Sequence, residues 1–192
     1  MDKQTEEILQ KIEEAEYVLV GLGQEFDMEF FLQSREDYRR IREQLQQQNV
    51  LWLLPYVEEQ FRRQYLPEME AEIEKGLQKL AKVLEKKSYF VVSSSLNHKL
   101  AEVPWKKMLL KKERFVAPCG DWTKKQCPDG CEEGIQTVTE ADEEQLQESF
   151  KKLQTNGFSV PDLGKCPKCG KKLVLNNVYA GRYDEKGYLK TW

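Results

Sequence analysis

Cys127-Pro128-Asp129-Gly130-Cys131 and Cys166-Pro167-Lys168-Cys169-Gly170 are the two stretches on which the fold turns. The first is a C-x3-C pair and the second a C-x2-C pair. Two hairpin-sized pairs supply the four soft ligands that a tetrahedral zinc ion takes, because each short loop presents two thiolates without strain. Pro and Gly beside the cysteines suit tight knuckles whose backbone N–H groups turn toward sulfur. Cys127, Cys131, Cys166 and Cys169 are therefore the expected metal ligands. The same residues can also be read as four ordinary thiols, or Cys166 and Cys169 as a redox pair. A thioredoxin-like pair opens a helix after a strand, whereas Cys169-Gly170-Lys171-Lys172-Leu173-Val174-Leu175 reads as a turn entering a strand. No histidine follows the second pair, which argues against c-type haem attachment. Four thiolates leave no open coordination position, so the zinc reads as structural rather than catalytic.

The chain has 192 residues, one third of them charged, and a net charge of −3. That length holds one domain with an insertion, or two small ones. A basic field that would gather nucleic acid is missing, so nucleic acid is not an expected partner. Five cysteines, four in close pairs and Cys119 apart, fit metal in a reducing compartment better than disulfides. The N-terminus lacks an apolar signal core and no run reaches membrane-spanning length, so a cytoplasmic protein without a membrane partner is expected. His98 is the single histidine, which confines histidine general-base chemistry to one place.

Upstream of the cysteines the pattern alternates helix and strand. Thr5 to Ala15 reads as a helix capped by Thr5, with Ile8, Leu9, Ile12 and Ala15 on one face. Tyr17-Val18-Leu19-Val20 reads as a strand buried on both faces, ended by Gly21-Leu22-Gly23. Glycines after a first strand open many nucleotide-binding α/β domains, although Glu25 and Asp27 here would repel a pyrophosphate. Residues 28–87 read as mostly helical, with Ser34 and Asp37 as caps and Pro67 opening a helix. Val50 to Tyr65 is rich in large apolar residues, read as packing against the sheet, with an aromatic substrate groove as the alternative. Tyr89-Phe90-Val91-Val92 is a second buried strand, and Ser93-Ser94-Ser95-Leu96-Asn97-His98 lies at its carboxyl end, where open α/β sheets place ligand groups. A polar loop with Asn97 as a helix cap is the other reading of that segment. Arg114-Phe115-Val116-Ala117 is a third strand, and Thr139 to Leu153 a surface helix capped by Thr139, with Leu146, Phe150 and Leu153 as its stripe.

In this order the pieces resemble the sirtuins, NAD-dependent protein deacylases and ADP-ribosyltransferases, and in particular sirtuin-like proteins of Firmicutes. The resemblance rests on Ala15 to Gly23, Tyr89 to Asn97, Pro118-Cys119-Gly120-Asp121 and the two cysteine pairs, and it spans nearly the whole chain. It implies an α/β fold: a partial Rossmann-like parallel sheet with helices over residues 1–118, an inserted four-cysteine zinc ribbon over 119–178, and a tail over 179–192. It also implies a nucleotide (NAD or ADP-ribose) site at Gly21, Gly23, Ser95 and Asn97. Departures from the family are specific. The G-A-G-x-S loop is replaced by Gly21-Leu22-Gly23-Gln24-Glu25, and T-Q-N-x-D by Ser93-Ser94-Ser95-Leu96-Asn97. Cys119-Gly120 stands where the family has its catalytic histidine before a glycine. Only Asn176 to Trp192 follow the ribbon, too few residues for the second half of a dinucleotide fold, so a half-sheet or a truncated longer protein is expected.

Three functions follow from these readings. The preferred one is a degenerate sirtuin-like zinc protein that retains a nucleotide pocket near Gly21, Gly23, Ser95, Asn97 and Cys119 without the usual deacylase groups. The second is an NAD-dependent enzyme in which Cys119 or His98 takes the base role. The third is a zinc-ribbon interaction module, with Lys124, Lys125, Lys165, Lys168, Lys171 and Lys172 around the thiolates. Those lysines also serve to balance the charge of about −2 on a zinc ion held by four thiolates.

Overall fold

In a computed structural model the structure describes residues 3–23, 26–27, 29–97, 100 and 114–179. The turn expected at Tyr183–Tyr188, and the tail beyond Tyr179, lie outside the described residues. Among the described residues the chain is mixed α/β and forms two three-stranded sheets.

The first sheet is parallel, in the order β1 (Tyr17–Leu22), β2 (Ser88–Ser93), β3 (Phe115–Val116). Tyr17 lies opposite Ser88 and Leu22 opposite Ser93, while Val91 lies opposite Phe115. Side chains alternate along a strand, so Val18, Val20 and Leu22 share one face with Tyr89, Val91 and Phe115. Leu77, Ala81 and Leu84 of α5 (Pro67–Leu84) pack on that face and complete the smaller of two apolar cores. The opposite face departs from the sequence reading of a strand buried on both sides. β1 is an edge strand, and Tyr17 and Leu19 stay 78% and 74% exposed because nothing among the described residues buries them. Before it, α1 (Lys3–Glu14) is amphipathic yet fully buries no side chain, and Thr5 sits inside its first turn rather than capping it.

Between β1 and β2 run α2 (Glu29–Gln33), α3 (Glu36–Gln47), one turn of 3₁₀ helix (Leu51–Leu53), α4 (Leu54–Tyr65) and α5. Pro55 and Pro67 sit in the first turns of α4 and α5, where a missing N–H costs no hydrogen bond. The caps expected at Ser34 and Asp37 do not form. Arg35 holds the N-cap position of α3 without a side-chain bond, Ser34 Oγ donates back to the Phe31 carbonyl, and Asp37 accepts from Arg35 and from the Tyr38 N–H.

The second sheet is antiparallel, in the order β5 (Gln136–Thr137), β4 (Gly120–Gln126), β6 (Val174–Asn177), with a bulge between Asp121 and Lys125. Gly120 starts it with φ near +105°, and a Cβ there would lie 2.4 Å from the Asn176 carbonyl oxygen, so only glycine lets β4 leave the parallel sheet so close to β6. α6 (Glu140–Gln154) crosses this unit. Thr139 caps it in a capping box with Asp142, and Leu146, Phe150 and Leu153 are buried, as the sequence suggests.

Val50 to Tyr65 corrects a second expectation. Trp52, Leu53, Leu54, Tyr56 and Phe61 form the larger core with Trp122, Leu146, Phe150, Leu153 and Leu175, rather than lying on the parallel sheet. Edge-to-face rings explain the choice: Tyr56 meets Trp122 at 5.2 Å and Phe61 meets Phe150 at 5.8 Å. Asn177 Nδ2 donates to the Trp52 carbonyl at 2.8 Å and fixes β6 against the 3₁₀ turn. The larger core thus draws on residues from both sides of position 118.

Candidate metal centre and strand-end cluster

The four paired cysteines converge. One sulfur from each of Cys127, Cys131, Cys166 and Cys169 lies within 4.8 Å of every other, and the Cys127 and Cys169 sulfurs are 3.4 Å apart. A tetrahedron with zinc–sulfur bonds of about 2.3 Å has sulfurs about 3.8 Å apart, so the cluster has the dimensions of a four-thiolate site. None of the five cysteines is in a disulfide. Cys127 and Cys166 are buried at the margin of the larger core, and Cys169 is exposed.

Local backbone makes each knuckle. Gly130 N–H returns to the Cys127 carbonyl and Gly170 N–H to the Cys166 carbonyl, both at 2.9 Å, and both glycines hold the left-handed φ that such turns require. Cys166 N–H bonds the Lys171 carbonyl at 2.8 Å, and a bridge pairs Lys165 with Lys172, so the second knuckle closes a small antiparallel turn that feeds β6. Gly134 is also obligatory, since a Cβ there would sit 2.4 Å from Cys127 Cβ. Burial alone would raise the Cys166 thiol, but N–H groups of Cys169 and Lys168 turned toward the sulfur bring it down to about 7. Cys131 goes the other way, pushed up to about 12 by burial and then by the neighbouring sulfurs. A cluster with this ligand set fits a cation that relieves repulsion among thiolates. Its chemistry, all sulfur and closed, fits zinc.

Three of the six lysines around the thiolates are engaged. Lys125 Nζ is buried between Asp142, at 2.8 and 2.9 Å, and the Leu163 carbonyl at 2.8 Å. Lys171 pairs with Asp129 at 2.6 Å and Lys168 with Glu133 at 3.5 Å.

A second cluster lies at the carboxyl ends of β1 and β2, where the sequence placed Gly21, Gly23, Ser95 and Asn97. Its centre is Asp27, which the sequence reading had treated as an obstacle to pyrophosphate. Asp27 Oδ1 accepts from the Ser95 hydroxyl, from Leu96 N–H at 2.8 Å and from Asn97 N–H at 3.2 Å. Asn97 Nδ2 reaches the Phe26 carbonyl at 3.4 Å, and Arg62 Nη1 the Asp27 carbonyl at 3.4 Å. Burial raises the Asp27 carboxyl above its ordinary range, despite the Ser95 bond and the Arg62 charge. Cys119 is half-buried, and burial followed by the Asp27 carboxylate pushes its thiol upward. Ser95, Asn97 and Cys119 are therefore brought together around Asp27. Gly21 stands apart within β1, with nothing within 4 Å of where a Cβ would be. His98 lies outside the described residues. No spacing rule marks Asp27 as the hub, since its partners sit about seventy positions away; only its place just after a first strand could have hinted at it.

No protein-family model matches this chain, and no curated protein matches it.

Proposed function

We propose that this chain is a zinc-stabilised protein of sirtuin type, with a partial Rossmann-like sheet, that has lost the family's deacylation and keeps a small-molecule pocket at the ends of β1 and β2. The observation that carries the reading is the convergence of four sulfurs on two glycine-ended knuckles. Zinc bound there would supply a cross-link between residues 127–131 and 166–169, and no reaction. Cys127 and Cys166 would anchor that link to the larger core, and Cys131 and Cys169 would close it from the solvent side. Protein purified without chelator should carry one zinc per chain by elemental analysis; a metal-free, fully folded preparation would overturn the reading.

The pocket is supported by the gathering of Ser95, Asn97 and Cys119 about a buried carboxylate at the strand ends. NAD or ADP-ribose is the ligand that the resemblance to sirtuins suggests, and calorimetric titration of both against the pure protein tests it. An altered NAD-dependent enzyme is the competing reading. A Cys119 thiol raised by burial and by Asp27 holds its proton near neutrality, which is the wrong direction for a base. NAD hydrolysis or acyl-lysine turnover that disappears in Cys119→Ala or His98→Ala would nonetheless select that enzyme. The ribbon as a nucleic-acid module is disfavoured by the ion pairs of Lys125, Lys168 and Lys171, and salt-dependent oligonucleotide binding is its test.

A further inference from the structure

The four sulfurs of the cluster differ in exposure and in reach. Cys127 and Cys166 are only 1% and 2% exposed, whereas Cys169 is open to solvent. Cys169 belongs to the second knuckle, yet its sulfur lies 3.4 Å from that of Cys127 in the first. A disulfide holds its sulfurs at about 2.0 Å, so a closing movement of about 1.4 Å separates this pair from a bond. Cys169 is the partner with solvent around it, and so the side chain free to make that movement.

Crowded sulfurs are the plain signature of any four-thiolate site. They leave open where an oxidant enters and which sulfurs it joins, and exposure answers both. Zinc ligands are held as thiolates, the form that attacks an oxidant. Cys169 is the exposed one among them, and the sulfur nearest to hand is the buried one of Cys127. Cys119, outside the cluster, competes poorly: it is half-buried, and burial followed by the Asp27 carboxylate keeps its thiol protonated near neutrality. A small oxidant therefore reacts first at Cys169.

We propose, resting on the zinc reading above, that the cluster is a redox switch: hydrogen peroxide joins Cys127 to Cys169 and releases the zinc while the fold stays closed. The Cys169 thiolate attacks one peroxide oxygen, the O–O bond breaks, and a sulfenic acid and hydroxide form. The Cys127 thiolate then attacks the Cys169 sulfur; the S–S bond forms, and the S–O bond breaks with loss of a second hydroxide. Two thiolates have lost two electrons to the peroxide, and two protons from solvent turn the hydroxides into water. Cys131 and Cys166 remain, a ligand set too small to retain a structural zinc ion. The new bond runs between the knuckles, across 42 positions, so residues 127–131 stay tied to residues 166–169. A Cys127–Cys131 or Cys166–Cys169 bond, within one knuckle, would untie them.

The test uses the full zinc-loaded chain, with its zinc content measured before hydrogen peroxide is added. A chromogenic chelator follows released zinc, peptide mapping without reduction locates the disulfide, and hydrogen exchange reports on α3 and α4. The expected result is loss of the bound zinc together with a peptide linked through Cys127 and Cys169. Cys119 should stay reduced while the cluster reacts, and α3 and α4 should keep their protection. Dithiothreitol with added zinc should restore the starting state, since a disulfide is reducible and higher sulfur oxides are not. Zinc retained while Cys119 is oxidised would overturn the switch. So would a disulfide confined to one knuckle, or loss of protection in α3 and α4 on oxidation. A chain that holds no zinc before peroxide is added would instead sink the metal reading, and the switch with it. Stoichiometric zinc that survives the oxidant would sink the switch alone.

Discussion

Most of α4 is buried, with only Arg63 and Gln64 exposed, whereas β1 turns two large apolar side chains outward. On α4, Leu54, Tyr56, Val57 and Phe61 are buried, and so are Glu58, Glu59 and Arg62. Each of the charged residues has a partner on another element or further along the chain: Tyr38 hydroxyl to Glu58 at 2.6 Å, Trp122 indole to Glu59 at 2.7 Å, and Arg62 to Glu70 at 3.2 Å. The parallel sheet has α5 on one face and, on the other, Tyr17 and Leu19 in the open. Parallel sheets are ordinarily covered on both faces. Burial in this molecule is therefore concentrated in the unit that joins residues 32–66 to residues 122–175, and the sulfur cluster sits at the margin of that unit. The contrast implies that stability rests on contacts remote in sequence, with the four-cysteine cluster at their margin and the sheet as the weaker half.

The severest way to break this contrast is to take a ligand away. Cys166→Ser should release zinc, and a structural site in a small module carries roughly 10–16 kcal/mol of apparent binding energy. Because the larger core is shared, hydrogen-exchange protection should fall in residues 120–178 and also in α3 and α4. Retained stoichiometric zinc in the variant, or loss confined to the ribbon with α3 and α4 fully protected, would show that the two units are energetically separate.

Truncating core side chains gives the next largest effect. Phe61 touches Tyr38, Tyr65 and Phe150, so Phe61→Ala should cost about 3–5 kcal/mol in urea denaturation with zinc saturating. Leu84→Ala lies in the smaller core beside a half-open sheet that can relax into the space, so it should fall at the low end of its range, about 2 kcal/mol. Equal costs would remove the asymmetry.

How much of this was legible in the sequence depends on the range of the interaction. Cys127 to Cys169 announced themselves because ligand spacing is local and chemically restrictive. Thr139 announced the α6 cap for the same reason, and Pro67 the start of α5. The destination of Val50 to Tyr65 was not legible, since an apolar helix pattern says that a face is buried but not against what. Tyr17-Val18-Leu19-Val20 misled in a related way: a continuous apolar run marks a strand of a parallel sheet, while coverage of its faces depends on elements elsewhere. At the strand ends the sequence offered Ser95 and Asn97 as ligand groups and gave no sign that they donate to Asp27, because that contact exists only once β1 and β2 pair.

Two buried carboxylates, one in each half, sharpen the contrast through pH. Burial alone would raise Asp142, but Lys125 and the Thr139 N–H and hydroxyl more than offset it and hold the carboxyl below its ordinary value. A depressed acid contributes stability above its unfolded pKa and loses it as pH falls through the lower folded value. Asp142 should therefore weaken the larger core only below about pH 4. Asp27 has the opposite sign. Its folded pKa is raised, so the native state binds more protons just above the unfolded value, and stability declines as pH rises from about 4 through the folded pKa. Asp27→Asn should flatten that decline at a cost within about 1 kcal/mol, since an amide oxygen still accepts from Leu96 and Asn97. Denaturation midpoints across pH 3–7, compared between Asp27→Asn and Asp142→Asn, read both signs; parallel curves would break the distinction.

The smallest effect is also the most direct probe of the open face. Leu19 is 74% exposed, whereas Val91, on the neighbouring strand and the opposite face, is buried to 1%. Threonine is β-branched and compatible with a strand at both sites, so backbone preference cancels in the comparison. Val91→Thr places a hydroxyl among Leu77, Leu84 and Tyr89 and should cost about 1–3 kcal/mol for an unsatisfied polar group. Leu19→Thr removes apolar surface that water already reaches and should stay within about 0.5 kcal/mol. If Leu19→Thr instead destabilised the protein as much as Val91→Thr, that face would have to be covered in solution, and the sheet would no longer be the half-buried partner of a fully buried core.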